Sequence, residues 1–202
     1  MARPKRQEQR RSELVAAAQR TIARHGPDGA RLHRVAEEAG LTSGAVLYYY
    51  PDIDDLVLEA NRAGMERFYE QRIRMLESLK DEPVEALVAL VRTGLPVGPD
   101  DTEVRLLCEL GGSAGRNPLM ASMLTTLFDR QVDMYGEVLA AGVERGLFTV
   151  TPDVLTVARN LVALEDAYGY RMVAQHPLID ADTGAELILS YARQATGHPL
   201  TS

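Results

Sequence analysis

Four histidines, one cysteine and a few acids in apolar surroundings are the side chains of this 202-residue sequence with reactive chemistry to offer. The histidines (His25, His33, His176, His198) are scattered, with no i, i+4 pair and no Glu-x-x-His spacing, so no helical metal site is expected. Cys108 sits on an apolar helical face and reads as a small core residue rather than a nucleophile. Neither a phosphate-binding glycine loop nor a dinucleotide fingerprint occurs. No cofactor, no catalytic residue and no enzymatic turnover are expected. What remains points to recognition: arginines gathered at one end, and the consecutive tyrosines Tyr48, Tyr49 and Tyr50.

The charge is unevenly distributed. Residues 1–34 hold nine Arg or Lys against Glu8, Glu13 and Asp28, a net +6, which leaves −13 on the remainder of a chain whose total is −7. One end attracts phosphate and the rest repels it, an asymmetry that orients a protein on a polyanion. A merely solvated basic tail is the alternative.

Between them, Leu32 to Leu56 supply the geometry. Leu32, Val35, Ala36 and Ala39 have the spacing of a helix with one apolar face. Gly40 suits the reversal that follows, since it takes left-handed backbone without a Cβ penalty. Thr42 or Ser43 is placed to cap a second helix that carries Gly44 to Tyr49, and Pro51 closes it. Two helices joined by a short Gly-containing turn match the helix-turn-helix unit, whose second helix reads the major groove.

At residues 36–56, AEEAGLTSGAVLYYYPDIDDL, the sequence resembles the DNA-binding signature of TetR-type transcriptional repressors. That signature has an alanine shortly before an Ala-Gly corner, then a Ser-rich cap, a tyrosine, an aromatic pair and a leucine. The likeness runs from about Glu13 to Leu58 and beyond that rests on helix count and order. It implies DNA contacts from Thr42, Ser43, Gly44, Ala45, Tyr48 and Tyr49, with Tyr50 as a core aromatic, while either Arg31, His33 and Arg34 carry more of the phosphate binding or affinity is modest. Arg10, Arg11 and Arg31 are candidates for phosphate contact, or else solvated surface charges. One departure stands out: Ile53 occupies a position where the family commonly has a phosphate-holding lysine.

The elements that must position these residues are all helical. Residues 1–6 read as a mobile basic arm, and Gln7 to His25 as a helix broken by Gly26-Pro27-Asp28-Gly29. Further helices are expected from Asp52 to about Lys80, Pro83 to Leu95, Thr102 to about Gly111 and Leu119 to Arg145. The last two run from Pro152, at a first-turn position, to about Ala174, and from Asp182 to Ala195. Pro96, Gly98 and Pro99 mark a loop. The fold class is all-α, about nine helices: a three-helix head over 1–51, and a roughly six-helix body over 52–202 whose 52–80 helix links the two.

The body offers a candidate effector pocket and a candidate interface. Soft and aromatic residues, Met65, Phe68, Tyr69, Met123, Phe128, Tyr135 and Tyr168, accompany the polar Arg105, Glu109, Gln131, Glu165 and Asp166. Glu109, Asp133, Glu165 and Asp166 are acids in apolar helical surroundings, and buried carboxylates need partners. One reading has Glu165, Asp166 and tyrosines binding a cationic effector; the other pairs the acids with Arg105, Arg159 or Arg171. The last two helices are apolar beyond one stripe. Leu155, Leu161, Val162, Leu187, Ile188 and Tyr191 are therefore expected in a four-helix homodimer interface, the way the resembling family dimerises.

The sequence thus reads as a cytoplasmic, ligand-responsive repressor that binds a pseudo-palindromic duplex operator as a dimer and is released by a small molecule. No segment approaches the ~18–20 apolar residues of a membrane span. The alternative is an all-helical scaffold whose basic end binds acidic partners non-specifically.

Overall fold

The computed structural model describes residues 2–98, 101–115 and 117–200. Nine α-helices and one 3-10 turn account for the regular structure among them, with no strand: α1 Ala2–His25, the turn Pro27–Gly29, α2 Leu32–Glu38, α3 Ser43–Tyr49, α4 Ile53–Ser78, α5 Pro83–Thr93, α6 Thr102–Ala114, α7 Pro118–Glu144, α8 Val154–Val173 and α9 Ala181–Thr196. Pro99, expected in a loop, lies outside the described residues.

Three boundaries differ from the sequence reading. The mobile arm expected over residues 1–6 is instead helical from Ala2, because Lys5 through Arg10 are all good helix formers. Helix α6 runs past Gly111 and Gly112 to Ala114. Pro152 does not open α8; Asp153 caps it, its carboxylate accepting from the Thr156 amide at 2.9 Å, because its side chain offers an acceptor to an end amide and proline's has none.

The chain forms two compact units: Met1–Arg67 with Arg105–Leu124, and Phe68–Val104 with Thr125–Ser202. The first is larger than the segment 1–51 marked by the sequence. It takes in the first half of α4, most of α6 and the start of α7. In it, α1 packs on α2 and α2 on α3, around Leu14, Ala18, Ile22, Val35, Val46 and Leu56. Gln19 on α1 donates to the Ala60 carbonyl of α4 at 2.9 Å and accepts from Arg67 at 2.9 Å. Arg105 of α6 donates to the Ala23 carbonyl at the C-terminal end of α1 at 3.2 Å.

In the second unit, α5 and α8 both pack on α9. Its core joins Leu87, Leu90 and Val91 of α5, Tyr135 and Leu139 of α7, Leu161 and Val162 of α8, and Ile188 and Leu189 of α9.

Candidate DNA-binding face and effector body

The turn between α2 and α3 is built by hydrogen bonds rather than packing alone. Gly40 adopts φ +65°, which lets the Leu41 amide reach back to the Ala36 carbonyl at 2.8 Å and the Gly40 amide to Glu37 at 3.0 Å. This satisfies the end carbonyls of α2. Thr42 then caps α3, its hydroxyl accepting from the Ala45 amide at 3.2 Å. Val46 is the inward face of α3, fully buried, while Gly44, Leu47 and Tyr48 face out, Tyr48 at 69% exposure.

Of the tyrosines, Tyr48 and Tyr49 meet edge to face, 5.1 Å between centroids. Tyr50 is buried at 2% exposure, the place the sequence reading gave it. Its hydroxyl has no hydrogen-bond partner among the described residues; burial and the nearby Glu59 carboxylate push the phenol up to about 12.

Around this helix lie the cations. Arg31 and His33 are exposed and make no ion pair among the described residues, and Arg34 is exposed with one donor on the Gly29 carbonyl at 3.1 Å. Arg10 pairs with Glu13 at 2.7 Å, and Arg11 with Glu59 at 3.0 Å. Arg20 and Arg24 both hold Glu38, at 2.6 and 2.7 Å, and pin α2 to α1. The Arg20 hydrogen bond is the first cause of a Glu38 carboxyl held below its usual range. At the family's lysine position, Ile53 begins α4, and Asp52 accepts from the Asp54 amide at 2.9 Å. That acidic start suits a helix N-terminus.

The second unit buries a charge cluster that the sequence reading only half found. Glu165 is buried on α8 and takes a two-pronged ion pair from Arg72 of α4, 2.7 Å from Nη2 to Oε1 and 3.1 Å from Nη1 to Oε2. Tyr135 donates to the same Oε1, and Gln131 to Oε2 at 3.4 Å. Arg72 also donates to the Leu90 carbonyl at 3.0 Å and lies over the rings of Phe68 and Tyr135, 5.3 and 5.7 Å from their centroids. A Cβ on Gly94 would fall 2.0 Å from the Glu165 carboxylate, so only glycine leaves room there. Burial pushes Glu165 up, while the Arg72 charge and the donors from Arg72, Tyr135 and Gln131 pull it down. Tyr135 is raised well above its ordinary value, first by burial and then by Glu165.

This corrects the pairing expected for Glu165: its partner is Arg72, not Arg105, Arg159 or Arg171. A signal for it exists in the sequence, since Arg72 stands four residues from both Phe68 and Leu76 on the apolar stripe of α4. An arginine there needs a buried acid.

The remaining candidate pocket residues are spread. Gln131 and Tyr135 converge on Glu165 and Phe68 lies under its partner Arg72, whereas Asp166, next in sequence, is turned to the exposed side of α8. Tyr69 carries Arg130 over its ring at 3.5 Å. Phe128 and Tyr168 pack, half-buried, against the core of the second unit. Met65, Arg105, Glu109 and Met123 belong to the first unit, where Glu109 lies against Gly26. Asp133, expected in apolar surroundings, is exposed: it sits on the outer face of α7.

The interface set also divides. Leu155 and Leu187 are exposed and Tyr191 is half-buried, its hydroxyl accepting from Asn160 at 2.8 Å. Leu161, Val162 and Ile188 are instead fully buried in the core of their own chain. Two helices apolar on more than one face do not announce which face meets its own chain.

Among the described residues, no group of three metal-ligating side chains comes together, and no helix is long and apolar enough to cross a membrane.

The signature of bacterial regulatory proteins of the tetR family matches residues 14–60, which is α1 from Leu14 through the first two turns of α4. The chain belongs to the TetR family. The nicotine-responsive transcriptional repressor HdnoR of Paenarthrobacter nicotinovorans is 25% identical over 157 residues, 78% of this chain and 80% of that one. The regulator RutR of Escherichia coli is 25% identical over 181 residues, 88% and 80% of the two chains. A transcriptional regulator of Saccharomonospora viridis in complex with choline shares the fold with a TM-score of 0.86, at 23% identity over 94% of this chain and 98% of that one. FadR of Bacillus subtilis in complex with stearoyl-CoA does so with a TM-score of 0.70, at 19% identity over 89% and 98%.

As a TetR-family member the chain is a DNA-binding transcriptional regulator of the repressor type and not an enzyme. The scaffold alternative falls with that assignment.

Proposed function

We propose that this regulator represses transcription as a homodimer on a pseudo-palindromic operator and leaves it when a small organic cation binds the body. The observation that carries the DNA half is the exposed side of the head. Gly44, Leu47 and Tyr48 project from α3, and Arg31, His33 and Arg34 are exposed beside it in the chain. In this reading the N-terminal residues of α3, from Thr42 to Ala45, meet base edges, while Tyr48, Tyr49 and the cations hold the backbone. Exposed Leu155 and Leu187, with Tyr191, join two copies through α8 and α9. DNA and effector alike are met in the cytoplasm.

A cationic effector is supported by the character of the body's interior, which already stabilises one cation, the Arg72 guanidinium, with an acid and two aromatic faces. The choline complex of the structural neighbour and the nicotine response of HdnoR point the same way. By binding one arrangement of the body better, the effector moves α4 and with it the spacing of the two α3 helices. The shift is limited by the difference in its affinity for the two states.

In-vitro selection from random duplex DNA, titrated at two salt concentrations, tests the first half. Half-sites about one helical turn apart would support it; binding that enriches no motif and vanishes with salt would remove it. For the second half, choline and other small organic cations are titrated into the protein–operator complex. Release by none of them, with release by an uncharged or anionic ligand, would reject the cation.

A further inference from the structure

Arg11 looks, in sequence, like one more phosphate contact, and the structure gives it other work. Its Nη1 donates to the Tyr49 carbonyl at 3.2 Å, its Nη2 to Glu59 Oε2 at 3.0 Å, and its guanidinium carbon stands 4.2 Å from the centroid of the Tyr50 ring. Three elements meet on one side chain. Tyr49 is the last residue of α3, Tyr50 its C-cap, and Glu59 lies on the second turn of α4. The Tyr49 carbonyl is among those that a helix end leaves without an internal partner, and a cation there also complements the helix dipole.

Arg11 is 45% exposed and Glu59 38%, so solvent screens the ion pair itself and a phosphate could compete for the guanidinium. Leaving would strand the Tyr49 carbonyl, uncover the face of Tyr50 and set a bare Glu59 carboxylate near DNA. We propose that Arg11 is a positioning residue for operator recognition. It fixes the C-terminal end of α3 against α1 and α4, sets the tilt at which the helix enters the groove, and binds no phosphate itself. Glu59 is the anchor that keeps it there. The proposal rests on the head reading specific sequence, which the selection above tests separately.

Glu59→Gln in the full chain separates the two roles because they predict opposite signs. A phosphate-binding Arg11 loses its competitor, and the head loses a negative charge, so operator affinity rises. A positioning Arg11 loses its anchor, and affinity falls. The probes are an about 30-base-pair duplex carrying the selected site, long enough for two half-sites, and a shuffled duplex of the same composition.

Glu59→Gln and Arg11→Gln should each weaken the selected duplex about five- to tenfold, the scale of one ordinary hydrogen bond, because the ion pair is screened by solvent. Binding to the shuffled duplex should stay within about twofold, and the slope of log K against log salt should not change. Arg11→Lys, which keeps the charge but not the fork, should fall between Arg11→Gln and the parent. Two results overturn the proposal: Glu59→Gln binding as well as the parent or better, or Arg11→Gln losing about 0.9 of slope with equal losses on both duplexes. Should Arg11→Gln unfold, the sign from Glu59→Gln alone decides.

Discussion

The Arg11 guanidinium carbon lies over the Tyr50 ring, 4.2 Å from its centroid, with the ring buried and the cation at the surface. The Tyr50 hydroxyl is buried and makes no well-formed hydrogen bond among the described residues, although Glu59 and Arg11 lie near it. An unpaired buried hydroxyl costs about 1–3 kcal/mol. Tyr50→Phe should therefore hold or raise stability by about 1 kcal/mol and leave DNA binding intact. Thermal denaturation checks it; a fall of similar size would mean that the hydroxyl has a partner after all.

Arg72→Met alone leaves Glu165 buried with its charge uncompensated, and the expected loss is about 3–5 kcal/mol. The pair Arg72→Met with Glu165→Leu removes both charges and should recover most or all of that loss. Urea denaturation of the two variants and the parent gives the comparison. A single variant as stable as the parent would show the ion pair to be dispensable.

Although Asp166 as a whole is exposed, desolvation of its carboxyl against α8, and then the neighbouring Glu165, pushes it up to about 6, from an ordinary 3.8. A carboxyl raised in the folded state binds its proton more tightly there than in the unfolded chain. Its stabilising effect is complete below the unfolded value and is lost as pH rises through about 6. Asp166→Asn should thus gain on the parent between pH about 4 and about 7, modestly because Asp166 reaches solvent. Melting temperatures across that range report it, and a constant difference would contradict the shift.

Arg31 and Tyr48 should fail differently on DNA. With Arg31 on a phosphate, as proposed, Arg31→Gln should lower affinity for all sequences and reduce the salt slope by about 0.9. Tyr48→Phe keeps the ring and loses one hydrogen bond, worth about 1 kcal/mol, with the slope unchanged. Filter binding at several salt concentrations separates them, and a slope change in Tyr48→Phe would be inconsistent with a neutral contact.

Sequence reasoning reached the head because its signals are local. Gly40 must be left-handed, Thr42 must cap, and Val46 must face in, and each follows from a neighbour within four residues. It failed where partners are far apart in the chain. Arg72 and Glu165 stand 93 residues apart, and no period links them. Arg11 and Glu59 stand 48 apart, and a basic cluster hid an arginine that is committed to the end of α3. In α8 and α9 the surplus of apolar residues was legible, but its division between the chain's own core and an outward face depends on a neighbour that the sequence does not display. Leu161 and Leu155 look alike until that neighbour is placed.

The compact unit that contains α3 ends at Arg67 and resumes from Arg105 to Leu124. Its seams are the Gln19 bond to Ala60, the Arg67 bond to Gln19 and the Arg105 bond to Ala23. DNA specificity is therefore not a cassette that recombination can trade at Pro51. A head grafted there would meet a foreign α4 and a foreign α6 with its own hydrogen bonds unmatched. Exchange between relatives should succeed only when two stretches travel together, so the gene encodes a stable head in two inherited pieces.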